Sequence, residues 1–292
     1  VWSTYHPAAL LRDPSRKASI EDHLRLLHRN LTGQGAQAVV LAVPDRALCT
    51  PGHPVSRVAF DIETYGKLST CPEQNYFHPL KSAAYDGVPC RDQVKTAAIS
   101  WRGEDGSLRH TAFVLSNPFD LRQLWAWLRW LHENRVEVVG QNIQFDLMSM
   151  RAAYPECRAW LDHPLPLCEL MVLNYLHNEV RPERSLKDLA PLFGITVYDK
   201  EFVRYPTDDD PALLTYNVQD TDATLLLAEY LEKAIDQDYT GTSKLSPYCR
   251  EWYSDLVWLS VWMSEWGIPM DESALREIYT NQYRPMMDKM ER

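Results

Sequence analysis

Apolar and acidic residues alternate through Val58, Ala59, Phe60, Asp61, Ile62 and Glu63, the period of a strand, so Asp61 and Glu63 project from one face. Two carboxylates on one face of a strand repel unless something cationic lies between them. A polar stretch with Pro72, Pro79 and Gly87 follows. Beyond it, 96–101 reads as a second strand, 103–106 as a turn and 110–115 as a third strand, the succession of an antiparallel meander. Residues 119–133 are helical, with Leu121, Leu124, Trp125, Leu128 and Leu131 on one stripe, and 136–139 returns to strand. Helical patterns then cover 144–153, 169–177, 185–193, 211–237 and 248–266. Strands first, then strand and helices, predict an α/β domain with a mixed central sheet. Upstream, apolar positions 20, 24, 27 and 31 predict a helix that Gly33 and Gly35 stop, 37–43 reads as a strand, and 44–54 as a connector. A domain begins near Val55.

Composition narrows the class. With 45% hydrophobic and 24% charged residues the chain is an ordinary soluble one, which excludes disordered, collagen-like and coiled-coil readings. Its apolar runs, such as 36–43, fall well short of the roughly 20 residues of a spanning helix, so no membrane partner is expected. From Val1 onward there is no initiating Met, no basic segment and no apolar core of a signal peptide, and the chain reads as cut from something larger. The six cysteines form no CxxC pair, the usage of a reducing compartment rather than a zinc site. A net charge of −10 argues against a broad basic nucleic-acid surface, yet it suits a protein that grips nucleic acid through carboxylate-bound metal ions.

Three acidic motifs carry chemistry. Asp61 and Glu63 form the first; Asp199 and Glu201 repeat the spacing without a strand around them. The second is Gly140-Gln141-Asn142-Ile143-Gln144-Phe145-Asp146, at a junction of strand and helix, where Asn142 also stands in the place of a helix cap. The third is Tyr216-Asn217-Val218-Gln219-Asp220, whose Tyr and Asp, four apart, share a helix face. Tyr205 and Asp209 match that spacing inside an acidic loop beside Pro206 and are set aside, and Asp222, two positions round from Asp220, reads as a solvent-facing charge. Four convergent carboxylates favour hard, oxygen-loving ions such as Mg²⁺ or Mn²⁺ over zinc. Two such ions can activate water and stabilise the leaving oxygen in phosphodiester cleavage.

The set resembles the DEDDy branch of the DnaQ-like 3′–5′ exonucleases, most closely the proofreading domain of family A DNA polymerases. Phe60-Asp61-Ile62-Glu63-Thr64 is similar to its first motif, Val139 through Asp146 to its second, and Tyr216 through Asp220 to its third. Arg184-Ser185-Leu186-Lys187-Asp188-Leu189-Ala190 resembles the segment between the last two, and Thr215 stands where the other branch carries His. The resemblance implies an RNase H-like fold and two Mg²⁺ or Mn²⁺ ions. Asp61, Glu63 and Asp220 would bind one ion, Asp61 would bridge to the second, and Asp146 would reach that one through water. Tyr216 would orient the nucleophilic water, and Thr64, Gln141, Asn142 and Phe145 would position the 3′ end of single-stranded DNA. Leu167-Cys168-Glu169-Leu170 departs from the family's usual Asp-Thr, so the support of the site is expected to differ there.

The ends carry two further resemblances. Residues 262–271 resemble the entry to a family A polymerase region, and Thr4-Tyr5-His6-Pro7 through Arg12 the late His-Pro motif of uracil-DNA glycosylases. The expected organisation is an appendage and connector over 1–50, an exonuclease domain over 55–237, and a linker with the start of a polymerase region over 238–292. That polymerase region of the same parent chain would be its partner, in the cytoplasm of a bacterial or phage-infected cell. An RNase D-like exoribonuclease and a catalytically silent nucleic-acid-binding module are the competing readings.

Overall fold

Branched and aromatic side chains at alternating positions make Arg57–Thr64 the central strand, β1. It pairs antiparallel with β2 (Val94–Arg102), which pairs antiparallel with β3 (Leu108–Val114). On its other side β1 pairs parallel with β4 (Glu137–Gly140), and β4 with β5 (Leu167–Glu169). The sheet order is therefore β3-β2-β1-β4-β5, with β2 alone running against the rest. The helices around it are α1 (Pro118–Glu133), α2 (Ile143–Ala153), α3 (Leu170–His177), α4 (Leu186–Leu192), α5 (Pro211–Asp238) and α6 (Pro247–Trp266). A last helical stretch holds α7 (Glu272–Ile278) and α8 (Arg284–Met290). This mixed five-stranded sheet flanked by helices is an RNase H-like fold.

The computed structural model describes residues 50–64, 84–85, 88–89, 94–179, 185–195, 211–238, 247–267 and 271–290. The helix expected over 20–31, the strand over 37–43, His6, Arg184 and the pairs at 199/201 and 205/209 lie outside them. Elsewhere the expected strands and helices form, with two adjustments. Glu169 ends the three-residue strand β5 and caps α3, rather than opening a helix. On α1 the buried stripe is turned from the expected one: Trp127 is fully enclosed, while Leu121 and Trp125 are only partly buried against the core.

Register decides which face carries the acids. Asp61 stands opposite Ala98, Glu63 opposite Thr96 and Ala59 opposite Ser100, so all six residues point to one side of the sheet. On that side Ala98, Ala112 and Val114 pack against Leu214 and Val218 of α5, and the two alanines let the helix approach closely. The other side is the main core, where Phe60, Ile62, Ile99, Trp101 and Phe113 meet Leu124, Trp127 and Leu128 of α1 and Ile143 and Leu147 of α2. The outer face of α5 is covered by α3 and α4 through Leu170, Leu173, Leu186 and Leu189 against Ala223, Leu227 and Leu231. Helix α6 closes the β5 edge: Trp258 is buried and donates from Nε1 to the Leu165 carbonyl at 2.8 Å, and Ser254 Oγ accepts from Leu167 N at 2.9 Å.

Candidate active site

The face of β1 that carries Asp61 and Glu63 looks at α5, on which Tyr216 and Asp220, one turn apart, share a side. Asp61, Glu63 and Asp220 each offer a carboxylate oxygen, and these atoms lie within 4.8 Å of one another. Asp146 enters from the first turn of α2, buried, and its Oδ1 accepts from the backbone N–H of Ile62 at 3.1 Å. That N–H belongs to the residue between Asp61 and Glu63, so the fourth carboxylate is tied to the same stretch of strand.

Electrostatics make the cluster one that could hold a cation. Desolvation, then Asp146, Glu63 and Asp220, push the Asp61 carboxyl well above the usual carboxylate range, against one lowering hydrogen bond from Asn217. Asp146 is likewise raised, by desolvation first, then by Glu169 and Glu63, against the Ile62 N–H. A set of oxygen donors that resist ionising together fits a hard divalent cation such as Mg²⁺ or Mn²⁺. A second group, Glu137, Cys168 and Glu232, lies at the other end of β1. There Arg57 serves as the counter-charge, donating to both Glu232 oxygens at 2.7 Å and pairing with Glu137. Cys157 is a buried free thiol whose pKa burial pushes up to about 12, which makes it unreactive.

At the junction of β4 and α2, Asn142 takes the cap position, but its backbone is left-handed (φ 60°, ψ 43°) and its side chain makes no capping hydrogen bond. Glu169 caps instead. Its carboxylate accepts from Asn142 N at 2.9 Å, Ile143 N at 2.8 Å and Met171 N at 3.0 Å, serving the first turns of α2 and α3 at once. Desolvation raises its pKa although all three N–H groups favour the charged form. Gly140 is required here because a Cβ would lie 2.4 Å from Ile143 Cδ1. Gln141 is half-buried, Asn142 exposed, and Phe145 packs partly buried against the main core. Thr64 is half-buried at the end of β1, beside a register shift.

Several residues of the site were not foreseen. Asn217, fully buried, joins Asp61 to Thr96 of β2. Lys187 of α4 places Nζ 5.2 Å from the centre of the Tyr216 ring, a cation against an aromatic face. Asp222 is corrected outright: it is 1% exposed, not a solvent-facing charge. Its carboxylate accepts from Ser100 Oγ at 2.6 Å and lies 3.1 Å from His110 Nδ1, fixing α5 to β2 and β3. Its α5 stripe contains Leu214, Val218 and Leu225, and that spacing was the signal that could have placed it against the sheet.

No protein-family model matches the chain, and no curated protein does so significantly. Among solved structures it is similar to Brucella melitensis NrnC, at 17% identity and a TM-score of 0.49 over 73% of this chain and 87% of that one. A structure of the same protein with bound Mg²⁺ gives 0.47, again at 17% identity over 73% of this chain and 87% of that one. The family B DNA polymerase of the hyperthermophilic archaeon Pyrobaculum calidifontis is similar at 18% identity and a TM-score of 0.39, over 73% of this chain and 29% of the polymerase. The RNase domain of yeast Pop2 follows at 10% identity and 0.34, over 63% of this chain and 77% of that domain. These likenesses lie below the level at which an activity transfers from one chain to another.

Proposed function

We propose that the chain is a metal-dependent 3′–5′ exonuclease of the DEDDy kind, removing nucleoside monophosphates from single-stranded or frayed DNA ends as the proofreading module of a family A polymerase. The observation that supports it most is the convergence of Asp61, Glu63 and Asp220 within 4.8 Å on the α5 face of the sheet. Asp146 joins them through the Ile62 N–H. Asp61, Glu63, Asp146 and Asp220 would hold two divalent ions, Mg²⁺ or Mn²⁺. Bound there, the ions supply activation of water and neutralisation of charge on the leaving oxygen.

The chain's own residues do the rest. Tyr216, buried one turn before Asp220, carries a phenol that orients the attacking water by hydrogen bonding. Thr64, Gln141, Asn142 and Phe145 would position the unstacked 3′ nucleotide. Melting a paired end costs a few kcal/mol, and a mismatched end costs less. The reading carries with it a polymerase region of the same parent chain and a cytoplasmic setting.

The test uses matched 5′-labelled oligonucleotides: single-stranded DNA, duplex with a paired or mismatched 3′ end, and RNA. Successive shortening from the 3′ end, with single-stranded and mismatched DNA faster than paired DNA or RNA, supports the proposal. Faster digestion of RNA would assign the site to an RNase D-like enzyme instead, and binding without shortening to a silent module.

A further inference from the structure

We infer that Asn217 and Thr96 form a positioning relay that fixes the Asp61 carboxylate, a role that rests on the exonuclease reading of the site. Asn217 Nδ2 donates to Asp61 Oδ2 at 2.7 Å, and Thr96 Oγ1 donates to Asn217 Oδ1 at 3.1 Å. Both relay residues are fully enclosed, at 0% exposure. The chain of contacts runs from β2 through α5 to β1, and Thr96 stands directly opposite Glu63 in the sheet. It therefore ties β1 and α5, the two elements that supply Asp61, Glu63 and Asp220, to the neighbouring strand β2.

The chemistry of an amide makes the relay directional. Asn has an acceptor end and a donor end, and either can in principle face a neighbour. The ionised Asp61 carboxylate, which only accepts, selects the orientation in which the NH₂ faces it, and the Thr96 hydroxyl proton on Oδ1 holds the amide there. Reversed, the amide would set its oxygen against a carboxylate oxygen. The last torsion of an aspartate is broad and soft, so a lone carboxylate spreads its lone pairs over a wide arc. A buried donor on Oδ2 narrows that arc and leaves the remaining lone pairs directed by the fold rather than by thermal motion. Groups that orient metal-binding carboxylates in this way typically change metal affinity by about 10- to 100-fold when removed.

A merely structural pair would behave differently from a relay, and two substitutions at Thr96 separate them. Thr96→Val keeps the shape and loses the hydroxyl; Thr96→Ser keeps the hydroxyl and loses a methyl. The readout is Mn²⁺ binding by the full chain, followed by electron paramagnetic resonance of the free ion, with circular dichroism confirming the fold. A relay predicts that Thr96→Val weakens Mn²⁺ binding by about 10- to 100-fold and that Thr96→Ser stays close to wild type. Asn217→Ala gives a second route to the same loss if the Val variant does not fold. Wild-type Mn²⁺ affinity in a folded Thr96→Val or Asn217→Ala chain would overturn the relay. Failure of the exonuclease reading shows separately, as wild-type chain that binds Mn²⁺ but does not shorten DNA.

Discussion

Asp61 stands where desolvation and three neighbouring carboxylates all work against its charge, with one amide from Asn217 on the other side of the balance. Carboxylates assembled for an ion destabilise the fold when the ion is absent. Asp61→Asn should therefore raise the unfolding temperature of the chain in chelator, by a stabilisation on the order of 1 kcal/mol, while abolishing cleavage. Calorimetry with and without Mg²⁺ checks this, and a lowered unfolding temperature in chelator would speak against the repulsion. Tyr216→Phe keeps the ring against Lys187 and removes only the hydroxyl. Turnover on single-stranded DNA should fall about 10²- to 10⁴-fold with metal affinity unchanged, and a wild-type rate would take Tyr216 out of the reaction. Asp222 belongs to stability instead. Asp222→Ala leaves Ser100 and His110 facing a void and should cost about 1–3 kcal/mol in urea unfolding, more than an exposed charge ever does.

At the scale of elements, the sequence told most where periodicity was long or the motif tied to a turn. The alternation from Val58 to Glu63 placed both acids on one face of β1, and the Tyr216–Asp220 spacing placed its pair on one face of α5. What escaped it were relations across elements. The three residues of β5 are too short to show a period, and the side of α1 that is buried depends on Trp101 of β2, whose ring lies 4.8 Å from that of Trp127. The cap of α2 was sought at Asn142 because caps are usually local, whereas the carboxylate that serves it comes from Glu169, 27 positions later. Asn217, a polar residue between Tyr216 and Val218, gave no signal of its own until β2 was in place beside it. The junction is also sterically exacting. Gly140→Ala drives a methyl into Ile143 and should lower stability by about 1–3 kcal/mol, measured as a shift in the urea midpoint; an unchanged midpoint would mean that Ile143 moves aside freely.

Across the whole molecule, the sheet divides the work between two sides. One is a dry core of aromatic and branched residues; the other holds small residues and acids under α5. Among the described residues no helix is long and apolar enough to cross a membrane. Helix α6 is bound to the sheet domain by buried charge as well as by Trp258. Arg151, 4% exposed, donates to both Glu265 oxygens at 2.8 and 2.9 Å and to the Leu161 carbonyl at 2.7 Å. Removing the acid leaves a buried guanidinium with only the Leu161 carbonyl and Asp162 at 3.5 Å, so Glu265→Ala should cost about 3 kcal/mol of stability without altering the Mg²⁺ dependence of any residual activity. A small effect in equilibrium unfolding would show that α6 is held by its apolar contacts alone.

The most direct measurement of the central claim is incubation of the chain with 5′-labelled single-stranded DNA in Mg²⁺, in excess chelator, and with Asp61→Asn in place of wild type. The carboxylate site predicts a ladder shortening one nucleotide at a time from the 3′ end in Mg²⁺ alone, and none in chelator or with the variant. Undiminished cleavage in chelator, or an Asp61→Asn chain as active as wild type, would contradict it.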